Sequence, residues 1–156
     1  MEFIENDGGR KAAGYKGQTG DCVTRAIAII TEKPYKEVYD ALNVLSESKK
    51  LGHKRIKTEY GTSYKKVSSS RTGVVRKVYD EYLTSLGYKW TPTMKIGSGC
   101  KVHLIENELP SGRLIIRVSG HITAVIDGVL YDTWDCSRNG RRCVYGYYTK
   151  DIVNSI

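Results

Sequence analysis

The stretch HITAVIDGVLYDTW, residues 121–134, decides how this chain is read. Two apolar runs flank Asp127-Gly128, a dipeptide suited to the two positive-φ positions of a type I′ turn. With these two residues at the turn, Ile126 pairs with Val129, and each further pair steps outward by one residue on either strand. His121 then lies opposite Trp134, and Thr123 opposite Asp132. Paired residues share a face, and the face repeats every two residues. His121, Thr123, Asp132 and Trp134 therefore project from one side of the hairpin, while Asp135 points the other way. Asp132 is the diagonal neighbour of His121, at a separation side chains bridge. A carboxylate in that place orients an imidazole and stabilises its protonated form. Trp134 beside them shields that bond from water.

Outward from the hairpin, the period of two persists back to Gly87. It predicts strands over 88–91, 113–119, 121–126, 129–135 and 144–149, with 101–108 open between a strand and a short helix. Before Gly87 the period is helical. Asp21 is placed to cap a helix beginning at Cys22, in which Val23, Ala26, Ile27 and Ile30 form one stripe and Ala28 and Ile29 fill the rest. Pro34 suits the first turn of a second helix, striped by Tyr35, Val38, Leu42 and Leu45. A third helix is expected over 73–86, with Val75, Val78, Tyr79, Tyr82 and Leu86 on one side and Gly87 as its stop. Residues 1–20 are Gly-rich and read as irregular. Helices first and strands second give an α+β fold, N-terminal helices packed on a C-terminal antiparallel β-sheet. The 156 residues fit a single domain, 1–156.

The formal charge is +8, and it is concentrated. Residues 49–77 carry ten Lys/Arg and one acid, Glu59, which leaves the remainder close to neutral. Residues 46–73 read as a basic loop insert, with Gly52, Gly61 and a Ser68-Ser69-Ser70 run inside it. Lys54, Arg55 and Lys57, interleaved with Tyr60 and Tyr64, are candidates for an anionic partner, either a nucleic-acid backbone along 49–77 or an acidic protein surface. The plainer reading is a solvated connection, since no nucleic-acid motif accompanies the charge. The RNGRR run, 138–142, reads as a charged turn. No apolar run approaches a membrane span, so no membrane partner is expected. The N-terminus lacks a secretory signal, which places the chain in the cytoplasm.

Four cysteines occur, Cys22, Cys100, Cys136 and Cys143, with no CxxC or CxxH pair among them. No metal and no cofactor are expected from that pattern, and stable disulfides are a minor expectation. Three of the cysteines read as small buried hydrophobes. Cys22 differs, because the first turn of a helix favours negative charge and so the thiolate. A thiolate nucleophile needs an imidazole. Of three histidines, His53 lies in the basic insert and His103 in a stretch of mixed polarity, which leaves His121.

The order is Cys on a central helix, His opening a strand, Asp one hairpin later, and Trp two residues on. It resembles the papain-like cysteine protease superfamily. Asp132-Thr133-Trp134 is similar to that family's Asn-Ser-Trp string, with Asp in place of Asn as in several bacterial branches. The Asp21-Cys22 dipeptide resembles the bacteriocin-processing branch. The resemblance implies a papain-like fold and a triad of Cys22, His121 and Asp132. It also implies an upstream Gln that helps form the oxyanion hole. Gln18 is the counterpart, four residues before Cys22 and nearer than the family spacing. Backbone amides of residues 19–22 are the alternative donors. Gly120 and Trp134 would border the substrate. The stretches DCVTRAIAI (21–29) and CVYGY (143–147) also resemble small phage-encoded proteins, which makes the compartment a host cytoplasm and admits a host protein as partner.

The reading is thus a cysteine hydrolase or acyl-transfer enzyme acting through a thioester on peptide, isopeptide or amide bonds. Two alternatives stand beside it. One is a catalytically silent binding protein on the same fold, such as an inhibitor of a host factor. The other is a basic nucleic-acid-binding module in which the three residues are merely packed.

Overall fold

In the computed structural model, which describes residues 1–17 and 19–150, three helices lie against one face of a six-stranded mixed sheet. Helix α1 (Cys22–Thr31) buries Val23, Ala26, Ile27, Ala28 and Ile30, as its all-round apolar pattern requires. It ends where Glu32 takes a left-handed conformation, φ 60°. Helix α2 (Tyr35–Ser48) is entered through the extended Pro34 and buries Tyr35, Val38 and Leu42. Helix α3 (Arg76–Ser85) buries Val78, Tyr79 and Leu83, with Gly87 at φ 92° just past its end.

The sheet is built from β1 (Phe3–Glu5), β4 (Tyr88–Pro92), β5 (Arg113–Val118), β6 (His121–Ile126), β7 (Val129–Asp132) and β8 (Gly146–Lys150), in the order β1-β7-β6-β5-β8-β4. The β6–β7 register is the expected one: Ile126 faces Val129, Val125 faces Leu130, and Ala124 faces Tyr131. Asp127 and Gly128 both have positive φ, 48° and 80°, as the turn demands. Helix α1 packs chiefly on β6. Ile115, Ile122, Ala124 and Tyr148 meet the helices on this face. Leu114, Ile116, Val118, Val125 and Leu130 form a second cluster on the other face with Leu104, Cys136 and Val144. A fully buried side chain such as Ile27 contributes about 1.5–3 kcal/mol by leaving water. Truncating it to Ala costs about 2–5 kcal/mol once the cavity is included.

Several expectations are corrected. The sheet is not wholly antiparallel, because β1 lies in the segment read as irregular and pairs with β7 in parallel. Three residues are too few to show a period; Phe3 is held by packing on the second cluster. Strand β7 stops at Asp132 rather than 135. There the Thr133 N–H turns back onto Asp132 Oδ1 at 2.7 Å, and the Ser137 N–H onto Asp135 Oδ1 at 3.0 Å. Such local bonds compete with the ladder. Residues 101–108 form neither a strand nor an α-helix, only a His103–Cys143 bridge and a single 3-10 turn, Glu106–Glu108.

The basic insert is not a loop. Residues 46–48 finish α2, and β2 (His53–Thr58) and β3 (Gly61–Lys66) form a separate antiparallel hairpin. Alternating Lys/Arg with Ile56, Thr58, Thr62 and Tyr64 gives enough β-forming residues to pair across the turn. Ser68 and Ser70 of the serine run are buried rather than solvated. Ser70 accepts from Thr24 Oγ1 through its carbonyl at 2.9 Å, and its N–H donates to Asn43 Oδ1 at 2.8 Å. Ser68 and Ser46 share a hydrogen bond of 2.8 Å. The run therefore ties α1 to α2. Cys100 and Cys143 are joined in a disulfide, with Cα atoms 5.8 Å apart. No spacing motif announced it; the β-bridge beside Cys143 brings two distant segments together. No helix among the described residues is long and apolar enough to cross a membrane.

Candidate active site

Cys22 opens α1, and His121 opens β6. The first helical bond of α1 runs from the Arg25 N–H to the Asp21 carbonyl at 3.0 Å. The N–H groups before it have no acceptor within the helix. Asp21 stands at the N-cap position but makes no side-chain cap, contrary to the expected role. Its carboxylate instead pairs with the Arg25 guanidinium, accepts the Tyr35 hydroxyl at 2.6 Å, and meets Arg10 Nε at 3.4 Å. Three donors outcompete a backbone amide. They also neutralise a negative charge that would otherwise oppose a thiolate next door.

His121 donates its Nε2–H to Asp132 Oδ2 at 2.7 Å, the link expected from the hairpin parity. Thr123 Oγ1 donates to the same oxygen at 2.7 Å. The Thr133 N–H and Arg25 Nη2 hold the other oxygen at 2.7 and 3.5 Å. Asp132 is buried. Burial pushes its carboxyl up, but the His121 and Thr123 hydrogen bonds, the His121 charge and the Thr133 N–H bring it below its ordinary value.

With Nε2 engaged by Asp132, Nδ1 is the ring nitrogen left for Cys22. Burial pushes the Cys22 thiol up. A hydrogen bond with His121, that ring's charge, the Ile122 N–H and the Arg25 charge outweigh it, so the thiol lies below its ordinary value. For His121, burial favours the neutral ring, but hydrogen bonds with Asp132, Cys136 and Cys22 raise its pKa well above the usual imidazole range. The shifts run toward the ionised thiol and the charged ring, with the Asp132 carboxylate behind that ring.

Trp134 places its ring 5.3 Å from the imidazole while remaining 48% exposed, so it covers one side of His121 only. Arg142, expected in a charged turn, is buried. It donates to the Ser119 carbonyl in the turn before His121 and lies 6.0 Å from the Trp134 ring centroid. Gly120, at φ 64°, completes that turn and lines the cleft above Cys22. The cleft encloses about 520 Å3 and is bordered by Cys22, His121, Trp134, Thr72 and Tyr79 among others. Gly20 lets the Thr72 carbonyl close over the entry to α1, since a Cβ there would lie 2.9 Å from that oxygen.

Gln18 lies outside the described residues. Asp135 serves the turn after β7 through Ser137 and takes no part in the His121 contact. Lys54, Arg55 and Lys57 lie on the separate hairpin and do not border the cleft. Sequence reasoning passed over Cys136 and underrated Arg25. Cys136 is fully buried, with Sγ 3.7 Å from Asp132 Oδ2. Only its place two residues after Trp134 marked it. The donor atoms of His121, Asp132 and Cys136 lie within 4.8 Å of one another, a grouping that can hold a metal ion. Metal–donor distances of about 2.0–2.3 Å would require Nε2 and Oδ2 to move apart from their hydrogen bond. As it stands, the cluster is bonded to itself.

Comparisons with protein-family models, with curated proteins and with solved structures gave no match to this chain.

Proposed function

We propose that the chain is a cysteine hydrolase or acyl-transfer enzyme of papain-like type, with Cys22 as nucleophile, His121 as acid and base, and Asp132 orienting His121. The observation that carries this reading is an imidazole held by Asp132 at 2.7 Å in the same cleft as the Cys22 thiol, which stands at a helix N-terminus. Cys22 Sγ bonds to the carbonyl carbon of a peptide, isopeptide or amide. The oxyanion is met by the Cys22 N–H at the head of α1. The carbon–nitrogen bond breaks as His121 gives its Nδ1 proton to the leaving amine, which leaves a thioester on Cys22. His121 then takes a proton from water, or from an acceptor amine, as its oxygen or nitrogen bonds to the carbonyl carbon. Sulfur departs and the ion pair is restored. Alkylation of Cys22 by iodoacetamide near neutral pH, in the native protein and in His121→Ala, tests the reading.

A second function is supported by the β2–β3 hairpin. Lys54 sits directly opposite Lys65. Like charges across a pair are destabilising. Among the described residues, no carboxylate pairs with Lys54, Arg55, Lys57 or Lys65, while Tyr60 and Tyr64 stand exposed at 93% and 66%. A two-stranded ribbon is marginal by itself. One that also tolerates self-repulsion is suited to an anionic partner, and phosphate backbone with bases stacking on tyrosine is the partner this surface fits. Salt-dependent binding of a single-stranded oligonucleotide tests it.

A further inference from the structure

Among the described residues, the cleft above Cys22 is bordered by three arginines, Arg25, Arg76 and Arg117, and by no carboxylate. Arg25 is neutralised beneath the floor by Asp21 and Asp132. The other two are not. Arg76 lies with its guanidinium carbon 4.9 Å from the Trp90 ring centroid, and Arg117 with its own 5.9 Å from that of Tyr145. These aromatic faces hold the two groups in place without using their N–H donors. Among the described residues, neither guanidinium has a hydrogen bond or an ion pair. Tyr79 sits among them: burial raises its hydroxyl, Arg117 and Arg76 lower it, and Cys22 raises it. Both arginines border the same cleft as the nucleophile and also line the adjoining pocket that holds Trp90 and Tyr145, so their guanidiniums stand at the cleft's wall. Two cations on the wall of one cleft, with no carboxylate among its described lining, favour an anion there. Arg is also the side chain that grips a carboxylate with two parallel donors.

We propose that the substrate of this site carries a carboxylate next to its scissile carbonyl, bound by Arg76 and Arg117. The inference rests on the triad reading and names its substrate class. The carboxylate comes either from an acidic side chain or from a chain terminus, and both place the same group against the same two forks. His121 in its imidazolium form adds to the field, so the contribution of the arginines is read by difference.

The test compares two alkylating agents of one shape and opposite demand, iodoacetate and iodoacetamide, on Cys22 of the full chain, with site-specific rates from mass spectrometry. A focused positive field should raise the iodoacetate-to-iodoacetamide rate ratio roughly tenfold over that of a small free thiol. The ratio should fall most of the way back in Arg76→Gln/Arg117→Gln and persist in Arg76→Lys/Arg117→Lys, which retains the charge. Dividing the two rates removes any change in thiolate fraction. The source is resolved by protection of Cys22 against iodoacetamide: N-acetyl-glutamyl-glycinamide protects if a side-chain carboxylate is read, and N-acetyl-glutaminyl-glycine if a terminal one is. A wild-type ratio equal to that of the free thiol, or a ratio unchanged in the double Gln variant, overturns the proposal. Failure of the triad itself looks different: slow iodoacetamide labelling of Cys22 near neutral pH that His121→Ala does not alter.

Discussion

Arg25 Nη2 lies 3.5 Å from Asp132 Oδ1, joining the helix that carries Cys22 to the carboxylate that holds His121. Asp21 closes the link, since it takes the other arm of the same guanidinium. Cys22, His121 and Asp132 come from three elements. Arg25 is the side chain that touches the carboxylates of both the helix entry and the hairpin.

Arg25→Gln should therefore destabilise the fold by about 3–5 kcal/mol, because two buried carboxylates lose their shared cation. Arg25→Lys should recover only part of this, since an ammonium cannot fork between two acids. Urea unfolding at neutral pH measures both.

Asp132→Ala should slow Cys22 alkylation near neutral pH by about tenfold or more, while Asp135→Ala leaves it within about twofold. Asp132→Asn should lie between, because the amide still orients the ring but no longer supports its charge. Equal losses at 132 and 135 would contradict the hairpin register.

Stability should depend on pH through the same pair. Asp132 lies below its ordinary 3.8 in the folded chain, so its contribution is present above 3.8 and is lost as pH falls through the lowered value. His121 lies above its ordinary 6.5, so its contribution is complete below 6.5 and is lost as pH rises through the raised value. Unfolding midpoints from about pH 3 to about pH 9 should show a shallower acid limb for Asp132→Asn and a shallower alkaline limb for His121→Gln.

Much of the site was legible because it depends on short-range geometry. The Asp127-Gly128 turn fixes the parity of β6 and β7, and parity alone joins His121 to Asp132. The apolar stripe of α1 places Cys22 at a buried helix entry. Most of the failures involve partners that lie far away in sequence. Asp21 looks like a cap until Arg10, Arg25 and Tyr35 compete for it. Arg142 looks like a surface residue until the Ser119 carbonyl and Trp134 surround it. Ser70 looks like linker until Thr24, Tyr39 and Asn43 bury it. A three-residue strand such as β1 carries no period at all.

Reduction of the Cys100–Cys143 bridge, which spans 43 residues of sequence, should lower stability by about 2–4 kcal/mol. Cys22 labelling should be unaffected, because neither cysteine of the bridge borders the cleft. Urea unfolding with and without dithiothreitol, and of Cys100→Ser/Cys143→Ser, gives the first number. Reduction would thus open the bridge without silencing Cys22.

Charge reversal at Lys54, Arg55 and Lys57 should weaken oligonucleotide binding by about tenfold or more and reduce the slope of log affinity against log salt. If the hairpin acts apart from the cleft, Cys22 labelling stays within about twofold. A parallel loss of both would show that the hairpin closes over the cleft instead.

The most direct measurement is the rate of Cys22 alkylation by iodoacetamide at about pH 6–7, beside that of the buried Cys136 and beside His121→Ala. The account predicts that Cys22 is modified at least about tenfold faster than Cys136 and that His121→Ala removes most of the difference. A Cys22 as slow as Cys136, or one indifferent to the loss of His121, would contradict it.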